Sequence, residues 1–186
     1  MVLYLGNVNF STSKAYKQLV GIMSVHPIYN WTWKSSCQHN HKVFFWFLIK
    51  DRLSTRNLLK RKNMILPSYN CILCNEGIEE SRDHLFLECK FARNCWALLG
   101  LTIVSSPELE ERVTSLKSQL NVKFFMEIII IMCWSIWTVR NDFIFRNIPA
   151  GCIRCVEIFK RIFKLLLWRA KKKYFPDIEL WLEHSV

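Results

Sequence analysis

Three cysteines and one histidine fall within nineteen residues, as Cys71-x2-Cys74-x9-His84-x4-Cys89. No other feature restricts the fold so strongly. Zinc takes four thiolate or imidazole ligands in a tetrahedron. A C-x2-C turn places two sulfurs on one side of an ion, and the nine-residue polar loop NEGIEESRD can reverse the chain so that His84 and Cys89 close the other side. Four protein ligands leave no open position for water, which is the pattern of a structural site. The loop is too polar to bury a core of its own, so the metal would supply most of its local folding energy. Structural zinc is worth about 10–16 kcal/mol in small finger peptides. The expectation is one structural Zn2+ held by Cys71, Cys74, His84 and Cys89.

Outside the cluster, the 186-residue chain has the means to build a core. Half of it is hydrophobic, with eight Trp and thirteen Phe, which excludes a disordered tail. Only five Gly and five Pro punctuate long apolar stretches, so helices are favoured over a many-stranded sheet. The fold class read from this is mainly α, a helical domain with a small zinc-binding loop. The start, MVLYLGNVNFSTSK, lacks a basic segment followed by a long apolar core and does not read as a signal peptide. An intracellular, reducing setting, in nucleus or cytoplasm, is therefore expected, where clustered cysteines act as metal ligands or buried thiols. Cys37, Cys95 and Cys133 read as core thiols, and Cys152-x2-Cys155 has no second pair nearby. The most apolar stretch, residues 124–137, is interrupted by Glu127 and shorter than the roughly 20 residues that span a bilayer, so it reads as a buried helix.

Along the chain, Ser11 to Ser13 read as the cap of a short helix carrying Ala15, Tyr16, Leu19 and Val20, broken at His26-Pro27. Residues 29–42 read as an irregular linker. A helix follows over residues 42–53, with Val43, Phe44, Phe47 and Leu48 as its apolar positions. Ser54 or Thr55 caps the next short helix, residues 56–63, and another covers residues 90–101 up to Gly100. Ser105-Ser106-Pro107-Glu108 has the form of a capping box and helix start. Long helices are expected over about 123–146 and 152–174, the second ended by Pro176. The division read from this is a lead-in helix over 1–30, a zinc-binding domain over 31–101 and a helical region over 102–186.

The motifs around the cluster run Phe45-Trp46-Phe47-Leu48, then Asp51-Arg52-Leu53-Ser54-Thr55 with Leu58-Leu59. Cys71-Ile72-Leu73-Cys74, Glu80, His84-Leu85-Phe86, Cys89 and Trp96 follow. This succession resembles the reverse-transcriptase zinc-binding domain of plant non-LTR retrotransposon polyproteins. Phe10-Ser11 with Lys14-Ala15-Tyr16 resembles that family's lead-in. Trp134-Ser135-Ile136-Trp137, Arg140-Asn141 and Ile144-Phe145 resemble an element that often follows the finger. His41-Lys42 stands where the family usually has Pro-Lys. The resemblance implies that Cys71, Cys74, His84 and Cys89 are the zinc ligands. In those polyproteins a polymerase precedes the domain and an RNase H often follows it. This chain carries neither a YxDD motif nor a spread of acidic residues for two metals, so the resemblance implies a non-catalytic fragment or a short derived copy.

The formal net charge is +11, which suits a polyanion. One basic group precedes the finger: Lys42, Lys50, Arg52, Arg56, Lys60, Arg61 and Lys62. Lys50, Arg52, Arg56, Lys60, Arg61 and Lys62 are the candidate contacts to RNA or DNA phosphates. The second group is on the last helix, where Arg154, Lys160, Arg161, Lys164 and Lys172 oppose an apolar side of Val156, Phe159, Ile162, Phe163 and Leu166. Trp168 falls among the basic positions and is expected to pack against another helix. No small-molecule substrate is implied, and a membrane-lying helix would require that apolar side to be free. The rival reading is a structural or protein-interaction remnant, or a decayed element fragment, whose zinc only holds the fold.

Overall fold

In the structure, a computed structural model, residues 11–13, 15, 19, 26–170 and 172–185 are described. Among them, helices carry the fold and extended pairing is limited to one antiparallel bridge, Asn70 to Glu79. Thr12, Ser13, Ala15 and Leu19 are helical, whereas Tyr16 and Val20 of the expected lead-in helix lie outside the described residues. The eight full α-helices that follow are α1 (Pro27–Lys34), α2 (His39–Ile49), α3 (Arg56–Arg61), α4 (Lys90–Ala97), α5 (Leu109–Leu120), α6 (Phe125–Arg146), α7 (Cys152–Lys164) and α8 (Phe175–Ser185).

The centre of the fold is α6. Fourteen of its 22 residues are buried, on every side, which marks a helix enclosed by neighbours. By length and composition alone it could cross a membrane, but α1, α2, α5 and α7 pack around it. Its start and the end of α5 meet at Asn121, which adopts a left-handed conformation (φ 47°), and α6 ends at Asn147 in the same way (φ 55°). Asparagine tolerates that conformation and lets each helix stop cleanly. The polar groups α6 carries inward are satisfied. Ser135 donates to the Ile131 carbonyl at 2.8 Å, and the Ser36 N–H donates to Glu127 at 2.6 Å. Burial raises the Glu127 pKa above the usual carboxylate value.

The apolar side of α7 is buried. Phe159 and Phe163 are inaccessible, and Phe163 lies 6.1 Å from the Phe124 ring at the head of α6. Trp181 of α8 closes over Phe124, Phe159 and Phe163. That side is thus unavailable to a membrane.

Several local expectations change. Residues 29–42 are not an irregular linker. His26-Pro27 starts α1 instead of breaking a helix: the His26 Nδ1 accepts the Ile28 N–H at 3.3 Å, and proline suits a first turn because it has no N–H to satisfy. The buried stripe of α2 is His41, Phe44, Phe45, Leu48 and Ile49, rotated from the stripe through Val43 and Phe47. The start of α5 uses Ser106, not a Ser105–Glu108 box: the Ser106 hydroxyl accepts the Glu108 N–H and donates to Glu111 at 2.6 Å. The last helix stops at Lys164, tightens into a 3-10 turn over Leu165–Trp168, and resumes as α8. Pro176 lies in the first turn of α8 rather than ending a helix. The chain must turn there for Trp181 to reach Phe163.

Candidate metal centre

The cluster is built by two local devices. The first is a short hairpin. The Cys71 N–H donates to the Ile78 carbonyl at 2.8 Å and the Glu80 N–H to the Tyr69 carbonyl at 2.9 Å, so residues 72–77 form a turn. Gly77 takes a positive φ of 68° in it, a conformation that costs glycine little. Cys71 sits on the paired arm and Cys74 on the turn.

The second device is a π-helical turn, His84–Glu88. Ser81 opens it by accepting the His84 N–H at 3.0 Å, and the Cys89 N–H donates back to the His84 carbonyl at 2.7 Å. This bond spans five residues. In an α-helix of 3.6 residues per turn, side chains five apart diverge by about 140°. The wider turn brings His84 and Cys89 back to one side, which is the local reason that an x4 spacing can serve one ion. Trp96, fully buried on α4, fixes the turn from behind by donating its indole N–H to the Phe86 carbonyl at 2.9 Å.

Together these devices bring one ligand atom from each of Cys71, Cys74, His84 and Cys89 within 4.8 Å of one another. Cys71 and Cys89 sulfurs are 3.8 Å apart, and the Cys74 sulfur is 3.3 Å from the His84 Nε2. Zinc–sulfur bonds of about 2.3 Å in a tetrahedron place two sulfurs roughly 3.8 Å apart. The spacing fits that polyhedron and is too long for a disulfide, and all eight cysteines are free. Cys71, His84 and Cys89 are buried while Cys74 is partly open. Among the described residues, no second group of Cys, His and acidic side chains comes together in this way.

The three thiols differ in how readily they ionise. Cys89 precedes α4, and its pKa is pulled down to about 6, first by the hydrogen bond from Cys71 and then by the N–H groups of Ala92 and Phe91. The Cys71 thiol is pushed up by that same bond and by burial. Cys74 is raised by burial. A metal ion entering here displaces the remaining thiol protons. The four residues are thus suited to hold a soft or borderline cation with no coordination position left over.

Residues 10–96 match the family described as zinc-binding in reverse transcriptase. That segment is similar to the zinc-binding domain of reverse transcriptases. The match covers just under half of the chain, and α5 to α8 lie outside it. No curated protein and no solved structure matches the chain.

The matched segment does not stand apart from the rest of the core. Phe86 of the π-helical turn packs on Phe44 of α2 and Trp137 of α6, with ring centres 6.1 and 6.2 Å apart. Glu80, at the foot of the hairpin and 0% exposed, forms a buried ion pair with Arg140 of α6, Oε1 to Nη2 at 2.6 Å. Arg140 also lies over the Trp137 ring at 4.9 Å. Neither partner stood out as functional in the sequence. The available signal was that both fall inside the quoted motifs, 60 residues apart.

Most of the six candidate phosphate contacts have structural duties. Arg56 donates to the Ser68 and Asn70 carbonyls and braces the chain just before Cys71. Lys60 pairs with Glu79 at 3.0 Å, and Arg61 with Asp51 at 2.5 Å. Lys50 sits 4.7 Å over the Tyr29 ring. Arg52 and Lys62 are exposed and, among the described residues, pair with no acid. Beyond the match, Cys152 donates to the Phe91 carbonyl at 3.8 Å, and Cys155 and Cys95 face each other in the α4–α7 contact, both inaccessible. Trp168 is not packed; it is 86% exposed.

Proposed function

We propose that this chain is a non-catalytic module that holds one structural zinc ion through Cys71, Cys74, His84 and Cys89 and binds nucleic acid through its basic surface. The observation that carries the reading is the closed four-ligand arrangement, with its 3.8 Å and 3.3 Å ligand spacings, inside a segment similar to the zinc-binding domain of reverse transcriptases. Bound there, zinc supplies cross-linking and no chemistry of its own, since all four positions are filled by protein. The hairpin and the π-helical turn would become one rigid unit. Arg52 and Lys62, exposed and paired with no acid among the described residues, would then meet phosphates without reading bases. The excess positive charge of +11 supports a polyanionic partner, RNA or DNA, and eight free thiols support a reducing, intracellular setting.

A second reading rests on a specific observation. Arg56, Lys60 and Arg61 are tied to Ser68, Asn70, Glu79 and Asp51, which suits a structural or protein-interaction remnant of a retroelement polyprotein. One experiment separates the two. Elemental analysis of the purified protein should find about one zinc per chain, lost in C71S/C74S together with ordered structure over residues 69–89. Fluorescence anisotropy with a single-stranded oligonucleotide should then show affinity that falls linearly with log salt, with a shallower slope in R52Q/K62Q. Zinc with no salt-dependent binding selects the structural reading. An intact fold without zinc removes both.

A further inference from the structure

We infer that the surface around Trp168, far along the chain from the zinc ligands, is a stacking site for single-stranded nucleic acid. Trp168 is 86% exposed, while the next most exposed of the eight tryptophans, Trp33, is at 44%. A solvent-facing indole of that degree contributes nothing to the core. Its neighbours give it a purpose. Between Glu157 and Asp177 there is no acidic residue. The exposed Arg161, Lys164, Arg169 and Lys172 all lie in that interval, and among the described residues none of them forms an ion pair. This contrasts with the basic group beside the finger, where Lys60 and Arg61 are already neutralised by Glu79 and Asp51.

The local geometry gathers Arg161, Lys164 and Trp168 on one strip. Arg161 and Lys164 are three residues apart on α7, and Leu165, just past its end, is four from Arg161. The chain tightens into a 3-10 turn over Leu165–Trp168, where side chains three apart eclipse, so Leu165 (47% exposed) and Trp168 lie side by side. From Arg161 to Trp168 the strip is roughly 10 Å long at helical rise. That is room for about three stacked nucleotides at 3.4 Å per step. The guanidinium and ammonium groups would neutralise phosphates, and the indole would take one base on its face. Base–aromatic stacking of this kind tolerates any sequence.

An anionic membrane is the other polyanion a basic strip with a tryptophan could meet. The structure disfavours it, because Phe159, Phe163 and Leu166 are buried in the core and, between Arg161 and Lys172, Leu165 and Trp168 are the exposed apolar side chains among the described residues. The site extends the nucleic-acid reading above and rests on it.

The test uses the full zinc-loaded chain, a labelled 20-nucleotide poly(U) strand, a duplex of equal length, and phosphatidylserine-containing vesicles. Trp168→Ala should weaken poly(U) binding about 5- to 150-fold, the range of one lost stacking contact, and affect the duplex less. Trp168→Phe should recover most of that loss. Replacing Arg161 and Lys164 together by Gln should flatten the salt slope for the single strand by about 1.4. The substituted groups are exposed, so unchanged circular dichroism confirms that the fold is kept. If poly(U) binding survives all these changes but falls in R52Q/K62Q, the strip is not the site, while the nucleic-acid reading stands. If the wild-type protein binds no nucleic acid at low salt, both fall. Vesicle binding lost in Trp168→Ala, with no nucleic-acid binding, would make the occupant a lipid surface and overturn the inference.

Discussion

Replacing Arg140 with Met should be among the most damaging single changes outside the Cys/His cluster. Arg140 is 5% exposed and lies opposite a fully buried Glu80, with contacts at 2.6 Å (Nη2 to Oε1) and 3.4 Å (Nε to Oε2). Methionine keeps the packing on Trp137 but leaves the Glu80 carboxylate with a single donor, the Arg56 N–H at 3.0 Å. Removing one partner of a buried pair costs about 3–5 kcal/mol, because the other charge stays desolvated and uncompensated. The remaining Arg56 bond argues for the lower end, about 3 kcal/mol, or a fall in Tm of roughly 6–12 °C for a chain of this size. Glu80→Gln should cost less, since the amide oxygen still accepts from Arg56 and Arg140 keeps Asn141 as an acceptor at 3.0 Å. The double variant should be more stable than the sum of the singles predicts, with a coupling of about 2 kcal/mol. Urea denaturation of zinc-saturated protein, followed by circular dichroism, reads all four corners of the cycle. If R140M costs under about 1 kcal/mol, or if the two changes add within about 0.5 kcal/mol, the pair is not the clasp described here.

Two further outcomes are expected. Because burial raises the Glu127 pKa in the folded state, the folded protein holds that proton more tightly than the unfolded chain, so stability should decline as pH rises from the unfolded value through the folded one; Glu127→Gln, which still accepts the Ser36 N–H, should abolish that part of the pH profile in urea melts and be at least as stable as the native protein at pH 7. Trp96→Phe should cost about 2–3 kcal/mol by the same assay, combining a cavity at a fully buried site with an orphaned Phe86 carbonyl, and a loss below about 0.5 kcal/mol would remove Trp96 as the support of the π-helical turn.

What could be read from the sequence was what depends on near neighbours. Cys71, Cys74, His84 and Cys89 fall within nineteen residues, so their spacing alone pointed to the cluster the fold brings together, and the apolar run around Ile128–Ile131 announced a buried helix. Thr55 capping α3, by accepting the Leu58 N–H, follows from local chemistry and holds. The errors arose where a residue's neighbours in space overrule its neighbours in sequence. His26-Pro27 looks like a break until Pro27 is seen in the first turn of α1, whose Trp31 packs against Phe125 of α6. The α7 helix pattern continues past Lys164, but Trp181 must reach Phe163, and the chain bends. No periodicity announces a π-helical turn, since it is a local widening that only the positions of His84 and Cys89 require. The exposure of Trp168 was equally hidden, because an aromatic in an apolar run usually packs inward.

The clasp and the ligand cluster act on the same short hairpin, and this ties their energies together. Glu80 is held four ways: its N–H donates to the Tyr69 carbonyl, its own carbonyl accepts the Asn57 N–H, and its carboxylate takes the Arg56 N–H and Arg140. Cys71 is one residue from the bridge at Asn70, and Ser81, next to Glu80, opens the turn that presents His84. An ion at the cluster and Arg140 on α6 therefore order the same backbone from opposite ends. Each spares the other part of the entropy cost of ordering residues 69–84, which is positive coupling through a shared segment. Linkage makes that coupling reciprocal: a change at Arg140 that loosens the hairpin must weaken metal affinity by the same factor that metal loss weakens the Glu80–Arg140 clasp. The candidate metal site would thus draw part of its preorganisation from a helix outside the matched segment.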